Sequence, residues 1–176
     1  MKKNNWLLDQ EHSSIVFKVK HMVISTVTGQ FNRFRVEASS EGENFEKGSV
    51  ECVINAKDVT TNDDYRDNHL KSAALLDVDK YQEIRFSSAN FERRGEQFVI
   101  KGELTIKDIT KSIDIPVTYL GKNDVNNIKR SAFESDFVVH RDDFNLTYNT
   151  LLESGGMVIG NEIAISVYIT LINKGE

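Results

Sequence analysis

Four histidines, one cysteine and several neighbouring carboxylates are the residues of this 176-residue chain with the most chemical potential. His12, His21, His69 and His140 include no pair at the spacing by which one helix or strand presents two ligands to a metal. Cys52 sits in the alternating run Val50-Glu51-Cys52-Val53-Ile54, where a thiol acts as a small buried hydrophobe. A lone cysteine also excludes an internal disulfide and any multi-cysteine zinc or iron–sulfur centre. Asp63/Asp64, Asp77/Asp79 and Asp142/Asp143 fall at turns and helix ends, where solvated caps account for them. His140-Arg141-Asp142-Asp143 reads as a charged cluster at a strand end. There is no G-x-S-x-G elbow, and Gly155-Gly156 followed by Gly160 is neither a phosphate loop nor a dinucleotide fingerprint. The expectation is a protein with no catalytic constellation and no metal site. His21 shares the parity of Phe17 and Val19, which makes it a hydrogen-bonded histidine at the rim of a core.

Composition narrows the class. A chain of this length makes one domain with a sizeable core and needs no disulfides. Its 22 basic and 27 acidic residues give a formal charge of −5, and no basic block suits a phosphate backbone, so nucleic acid is not an expected partner. No apolar run approaches the roughly 18 residues of a membrane-spanning helix. Two lysines near the start are followed by Trp6-Leu7-Leu8 and then Asp9-Gln10-Glu11, which reads as no signal peptide and hence a cytoplasmic protein.

What must position any site is a set of strands. Alternation with period two puts Ile15, Phe17, Val19 and His21 on one face and Lys18 and Lys20 on the other. The same pattern recurs at Phe98–Ile106, Ile113–Tyr119 and Ile163–Leu171. Less regular candidates at Val27–Ala38, Ser49–Asn55, Ile84–Phe91 and Ile128–Val139 bring the total to about eight. Turns are expected at 41–44, 93–96, 107–111 and 121–124. Pro116 inside a strong strand requires an edge, a bulge or a change of partner, because it cannot donate to the ladder. Only 61–79 departs from alternation: Tyr65, His69, Ala73 and Leu76 recur at helical spacing behind Thr61 or Asn62 as cap, which predicts one helix of about four turns near 62–78. Such strands either stack as a sandwich or close as a barrel, and alternation leaves both open. In a barrel of about eight strands, the ten phenylalanines would either fill the interior or line a cavity.

Trp6, Asp9, His12, Ser13, Phe17 and His21 form W-x-x-D-x-x-H-S-x-x-x-F-x-x-x-H. Val27, Gly29, Phe31 and Phe34 form V-x-G-x-F-x-x-F, and Arg66, Asp67, His69 and Leu70 belong to R-D-x-H-L-K-S. K-Y-Q-E-I-R-F, G-E-L-T-I-K-D-I-T-K and R-D-D-F follow in order. This order of motifs, from Trp6 to about Leu171, resembles the YceI-like family of lipocalin-like polyisoprenoid-binding proteins. Gln82, Asp108, Ser112 and Asn145 depart from the family pattern, at turns and edges where they alter loops and spare the fold. The resemblance implies an all-β protein, an elongated antiparallel up-and-down barrel that holds the tail of an isoprenoid or similar long-chain amphiphile for storage, transport or sequestration. It implies no catalysis and no cofactor besides that ligand. It also brings a homodimer into view, and many relatives are periplasmic.

Combined with that barrel, parity nominates Phe17, Val19, Phe34, Phe86, Ile100, Leu104, Ile106, Ile115, Val117, Phe137, Ile165 and Val167 as its lining. His21, Asn68, His69 and Arg141 are the polar candidates near a mouth, able to donate to a hydroxyl, amide or phosphate head group. Two competing readings are an enzyme acting on such a lipid, including a metal-assisted hydrolase built on the histidines, and a stress-response interaction module with an incidental pocket.

Overall fold

A computed structural model describes residues 3–150, 152 and 158–174. Eleven strands form one antiparallel sheet: β1 (Lys3–Leu8), β2 (Ser14–His21), β3 (Ser25–Phe31), β4 (Phe34–Glu41), β5 (Lys47–Asn55), β6 (Val59–Thr60), β7 (Glu83–Glu92), β8 (Gln97–Ile106), β9 (Ile109–Val125), β10 (Ile128–His140) and β11 (Ile159–Lys174). Neighbours run β1-β4-β5-β7-β8-β9-β10-β11, and β11 returns to β1 through Leu7↔Ile172 and Leu8↔Leu171. Eight strands therefore close a barrel, as the resemblance implied. β2, β3 and β6 extend it at one end, because β11 pairs with β1 near its C-terminus and with β2 from Ile159 to Tyr168.

Residues of the D-x-x-H-S motif build the corner between β1 and β2. Ser13 Oγ donates to the Asp9 carbonyl at 2.7 Å and accepts from the Thr170 amide at 2.9 Å, while the exposed His12 pairs with Asp9 at 3.0 Å. The expected strand Val27–Ala38 is likewise two strands, broken at Asn32-Arg33, so both bends occur at the same level of the barrel. Below the bends the wall is closed. Above them it opens, and the α-helix found among the described residues stands there.

That helix, α1 (Asp64–Lys71), is two turns long and not four. Asp63 caps it, accepting from the Arg66 amide at 2.9 Å, in place of the expected Thr61 or Asn62. It stops because Ser72 turns extended and its hydroxyl bonds back to the His69 carbonyl; tight turns carry the chain from there to Tyr81, burying Leu75 and Val78. The helical spacing through Ala73 and Leu76 was fortuitous. Thr61 instead anchors the helix from outside it. Its amide and hydroxyl donate to the buried Asp67 carboxylate at 2.7 and 2.6 Å, Thr60 adds a third bond at 3.1 Å, and Arg66 donates to the Thr61 hydroxyl. Burial alone would raise the Asp67 pKa; these bonds overcome it and hold the carboxyl below the ordinary carboxylate value.

Pro116 does mark a change of partner. β9 pairs with β10 only from Val125↔Ile128 to Thr118↔Glu134, with a bulge near Gly121, and from Pro116 back to Ile109 it pairs with β8 alone. The Ser135 hydroxyl donates to the Pro116 carbonyl at the branch point. Beyond it Phe144 and Leu146 join Ile109, Ile113 and Val139 in a shared apolar cluster that fills the widening gap. The turn expected at 121–124 lies instead at Asn126-Asn127. Both have positive φ (56° and 61°), the conformation that a two-residue hairpin demands.

Candidate functional site

Two apolar clusters divide the interior. One, at the closed end, is filled: Trp6, Phe45, Phe91 and Phe98 are buried there, with Phe45 wedged between Trp6 (ring centroids 4.6 Å) and Phe133 (5.0 Å). Trp6 donates to Ser40 Oγ at 2.9 Å, so its one polar atom is satisfied. Along β4 the inward residues Phe34, Val36 and Ala38 are all buried. Along β11 the inward residues Ile163, Ile165, Val167 and Ile169 are only half-buried, although they face the barrel interior. The difference is empty space. A cavity of about 880 Å³ runs from Phe133, Val36 and Val50 up to a mouth at His21, Tyr65, His69 and Tyr148.

Its wall is overwhelmingly apolar. Of the expected lining, Phe17, Val19, Phe86, Leu104, Ile106, Ile115, Val117, Phe137, Ile165 and Val167 border the cavity, as do His21, Asn68, His69 and Arg141. Phe34 and Ile100 do not; both pack within the cluster that includes Trp6 and Phe45. Parity assigns a face and does not tell which inward side chains their neighbours enclose. Ile15, Phe31, Ile113, Ile163 and Ile169 also line the cavity and share the alternation that named their neighbours. Leu75, Leu146 and Tyr148 come from turns and loops, where no periodic signal exists to find them, and Leu76 comes from the turns after α1 and not from the helix its spacing suggested.

Glycine keeps the bore open. A Cβ on Gly29 would lie 2.2 Å from Phe17 Cζ, and one on Gly102 would lie 2.5 Å from Phe86 Cζ, so both rings lie against the neighbouring strand. Any larger residue would drive them inward.

At the mouth the polar groups have distinct roles. His69 meets Tyr148 edge to face at 4.6 Å. His21 ends β2, opposite Ile159 and Ser25. Arg141 is buried, and its Nε and Nη1 donate to the carbonyls of Gly160, Leu146 and Tyr148 at 2.9, 2.7 and 3.2 Å. Burial lowers its pKa, yet a guanidinium stays charged, so it first serves as a staple that fixes the loop after β10 to β11. Cys52 faces the cavity wall, and desolvation pushes its thiol up to about 12, far from a reactive thiolate. Among the described residues no three of His, Cys, Asp and Glu converge as a metal site would require, and no helix is long and apolar enough to cross a membrane. Gly155 and Gly156 lie outside the described residues.

The model of the YceI-like domain matches residues 6–171. The chain belongs to this family. A UPF0312 protein of Staphylococcus aureus is 28% identical over 161 residues, covering 90% of this chain and 92% of that one. BcnA of Burkholderia cenocepacia superposes with a TM-score of 0.77 at 18% identity, over 93% of this chain and 98% of that one. A polyisoprenoid binding domain from Saccharophagus degradans superposes with a TM-score of 0.67 at 14% identity, over 94% and 97%. Within the YceI-like motifs, Trp6, Asp9, Ser13 and Asp67 hold the fold together, whereas His21 and His69 stand at the mouth. Asn145, where the family pattern has Gly, takes φ 53° as the left-handed cap after 141–144, the conformation asparagine tolerates best after glycine.

Proposed function

We infer that the protein binds the tail of an isoprenoid or similar long-chain amphiphile in this cavity, for storage, transport or sequestration. One observation carries the reading: an apolar bore of about 880 Å³, closed at one end by tightly packed aromatics and open at the other beside the imidazoles of His21 and His69. A buried tail gains about 0.8 kcal/mol per methylene, so a dozen supply on the order of 10 kcal/mol before the several kcal/mol that association costs. The tail alone therefore supports micromolar affinity. The description of the Saccharophagus relative as a polyisoprenoid binding domain agrees with this ligand class.

Head-group selectivity falls to the mouth. Imidazole nitrogens of His21 and His69 and the Asn68 amide can donate to a hydroxyl, amide or phosphate. Arg141, spent largely on main-chain carbonyls, contributes mostly charge. Organic extraction of protein purified without detergent, followed by mass spectrometry, tests the reading. A long-chain amphiphile in near-stoichiometric amount is expected; absence of any such compound, together with failure to take up added polyprenol, would overturn it.

A further inference from the structure

The hairpin between β2 and β3 has a tip unlike an ordinary turn. Met22, Val23 and Ile24 form it, and they are 51, 56 and 87% exposed. Three-residue hairpin loops favour Gly, Asn or Asp where φ is positive. Here Met22 and Val23 adopt φ 53° and 70°, and for β-branched Val23 that is a strained conformation. Neither burial nor turn geometry rewards these three side chains in the folded protein.

The surroundings indicate what would. The tip adjoins the cavity mouth: the Met22 amide bonds the Val158 carbonyl, and Lys20, His21 and Ile159 border the opening. Tyr65, 87% exposed, and Tyr148 complete the rim, and tyrosine is a residue of membrane interfaces. From His12 to Val36 the sequence has no acidic residue, in a chain that carries 27, while Lys18 and Lys20 point outward from β2. Of the acids on neighbouring elements, Asp142 shares a pocket with Lys20 and Val23, and Glu162 lies on β11; neither is on the hairpin.

We propose that the Met22–Ile24 tip is a membrane-docking element, which inserts into the interface of an anionic phospholipid bilayer and brings the cavity mouth against it. The apolar tip enters the acyl boundary, Lys18 and Lys20 lie at the phosphates, and a tail passes between bilayer and bore without crossing water. The proposal rests on the carrier reading for its purpose, though its physical test does not.

Flotation with phosphatidylcholine vesicles, with and without phosphatidylglycerol, reads docking directly. Wild-type protein should float with the mixed vesicles and less with phosphatidylcholine alone. Ile24→Asp should weaken partitioning at least about tenfold. Val23→Asn should weaken it too while raising Tm, since asparagine accepts positive φ; a destabilised fold would do the reverse. Ile24→Trp adds a reporter to a chain whose one other tryptophan is buried at the far end, and its emission should shift blue on vesicles. In vesicle-free solution, Ile24→Asp should bind a fluorescent polyene fatty acid as the wild type does. Flotation unchanged in Ile24→Asp, or none by the wild type, overturns the proposal, as does a tip that drives only self-association. Tip-dependent flotation without fatty-acid binding would instead refute the carrier reading and leave docking intact.

Discussion

The two ends of the barrel are built from the same alternating strands, yet one is solid and the other hollow. At the closed end, Phe45 from the turn after β4 reaches into the bore between Trp6 of β1 and Phe133 of β10. At the open end, among the described residues, Phe144 and Leu146 come in from the loop after β10 and leave the bore itself unfilled. Inward residues such as Ile113 and Ile115 of β9 and Ile163 and Ile165 of β11 stay half-buried there because they border the cavity. Alternation makes a wall, and whether the wall encloses a core or a pore depends on a few large side chains delivered from outside the regular pattern.

That contrast can be broken experimentally. Phe45→Ala removes the wedge of the filled end and should cost about 3–5 kcal/mol in denaturant unfolding, whereas Ile165→Ala in the cavity wall should cost about 1 kcal/mol, having fewer contacts to lose. Equal costs would mean that the bore is packed. Asp67→Asn weakens the clamp that holds α1 over the open end and should cost about 1.5–3 kcal/mol. Because the folded pKa of Asp67 is depressed, its contribution is present above the unfolded carboxylate value of about 4 and vanishes as pH falls through the lower folded value. The gap between wild type and variant should thus be constant near neutrality and narrow below about pH 4; a gap independent of pH would assign Asp67 another role.

Gly29→Ala should cost about 1–3 kcal/mol and reduce uptake of a fluorescent fatty acid, as the Phe17 ring is pushed off β3 into the bore. Retained uptake would show that the bore is wider than its lining implies. Ile115→Phe should change stability by less than about 1 kcal/mol, since the ring enters empty space, and still weaken tail binding about tenfold. Strong destabilisation by this variant would contradict an open cavity.

Much of the wall was legible in the sequence, because period two is a direct consequence of strand geometry and survives in Phe17-Val19-His21 or Ile163-Ile165-Val167. Depth was not. Phe34 and Phe86 are indistinguishable by parity, and only three-dimensional packing leaves one enclosed among its neighbours and the other bordering the cavity. The short α1 was overextended because helical spacing in Tyr65, His69, Ala73 and Leu76 outweighed the capping chemistry of Ser72. Arg141 looked like a head-group donor from its place in a charged run. The carbonyls that occupy it belong to residues up to 19 positions away, which no local pattern reveals. The mouth residues Leu146 and Tyr148 lie on irregular backbone and are visible only in three dimensions.

The central claim is that the open end is a tail-binding pore. A crystal structure of the protein purified from its natural host, without added lipid, tests it most directly. Elongated density running from His21 at the mouth to Phe133 at the floor is the predicted result; a collapsed bore, with Phe17 and Phe86 turned in to fill it, would contradict the account.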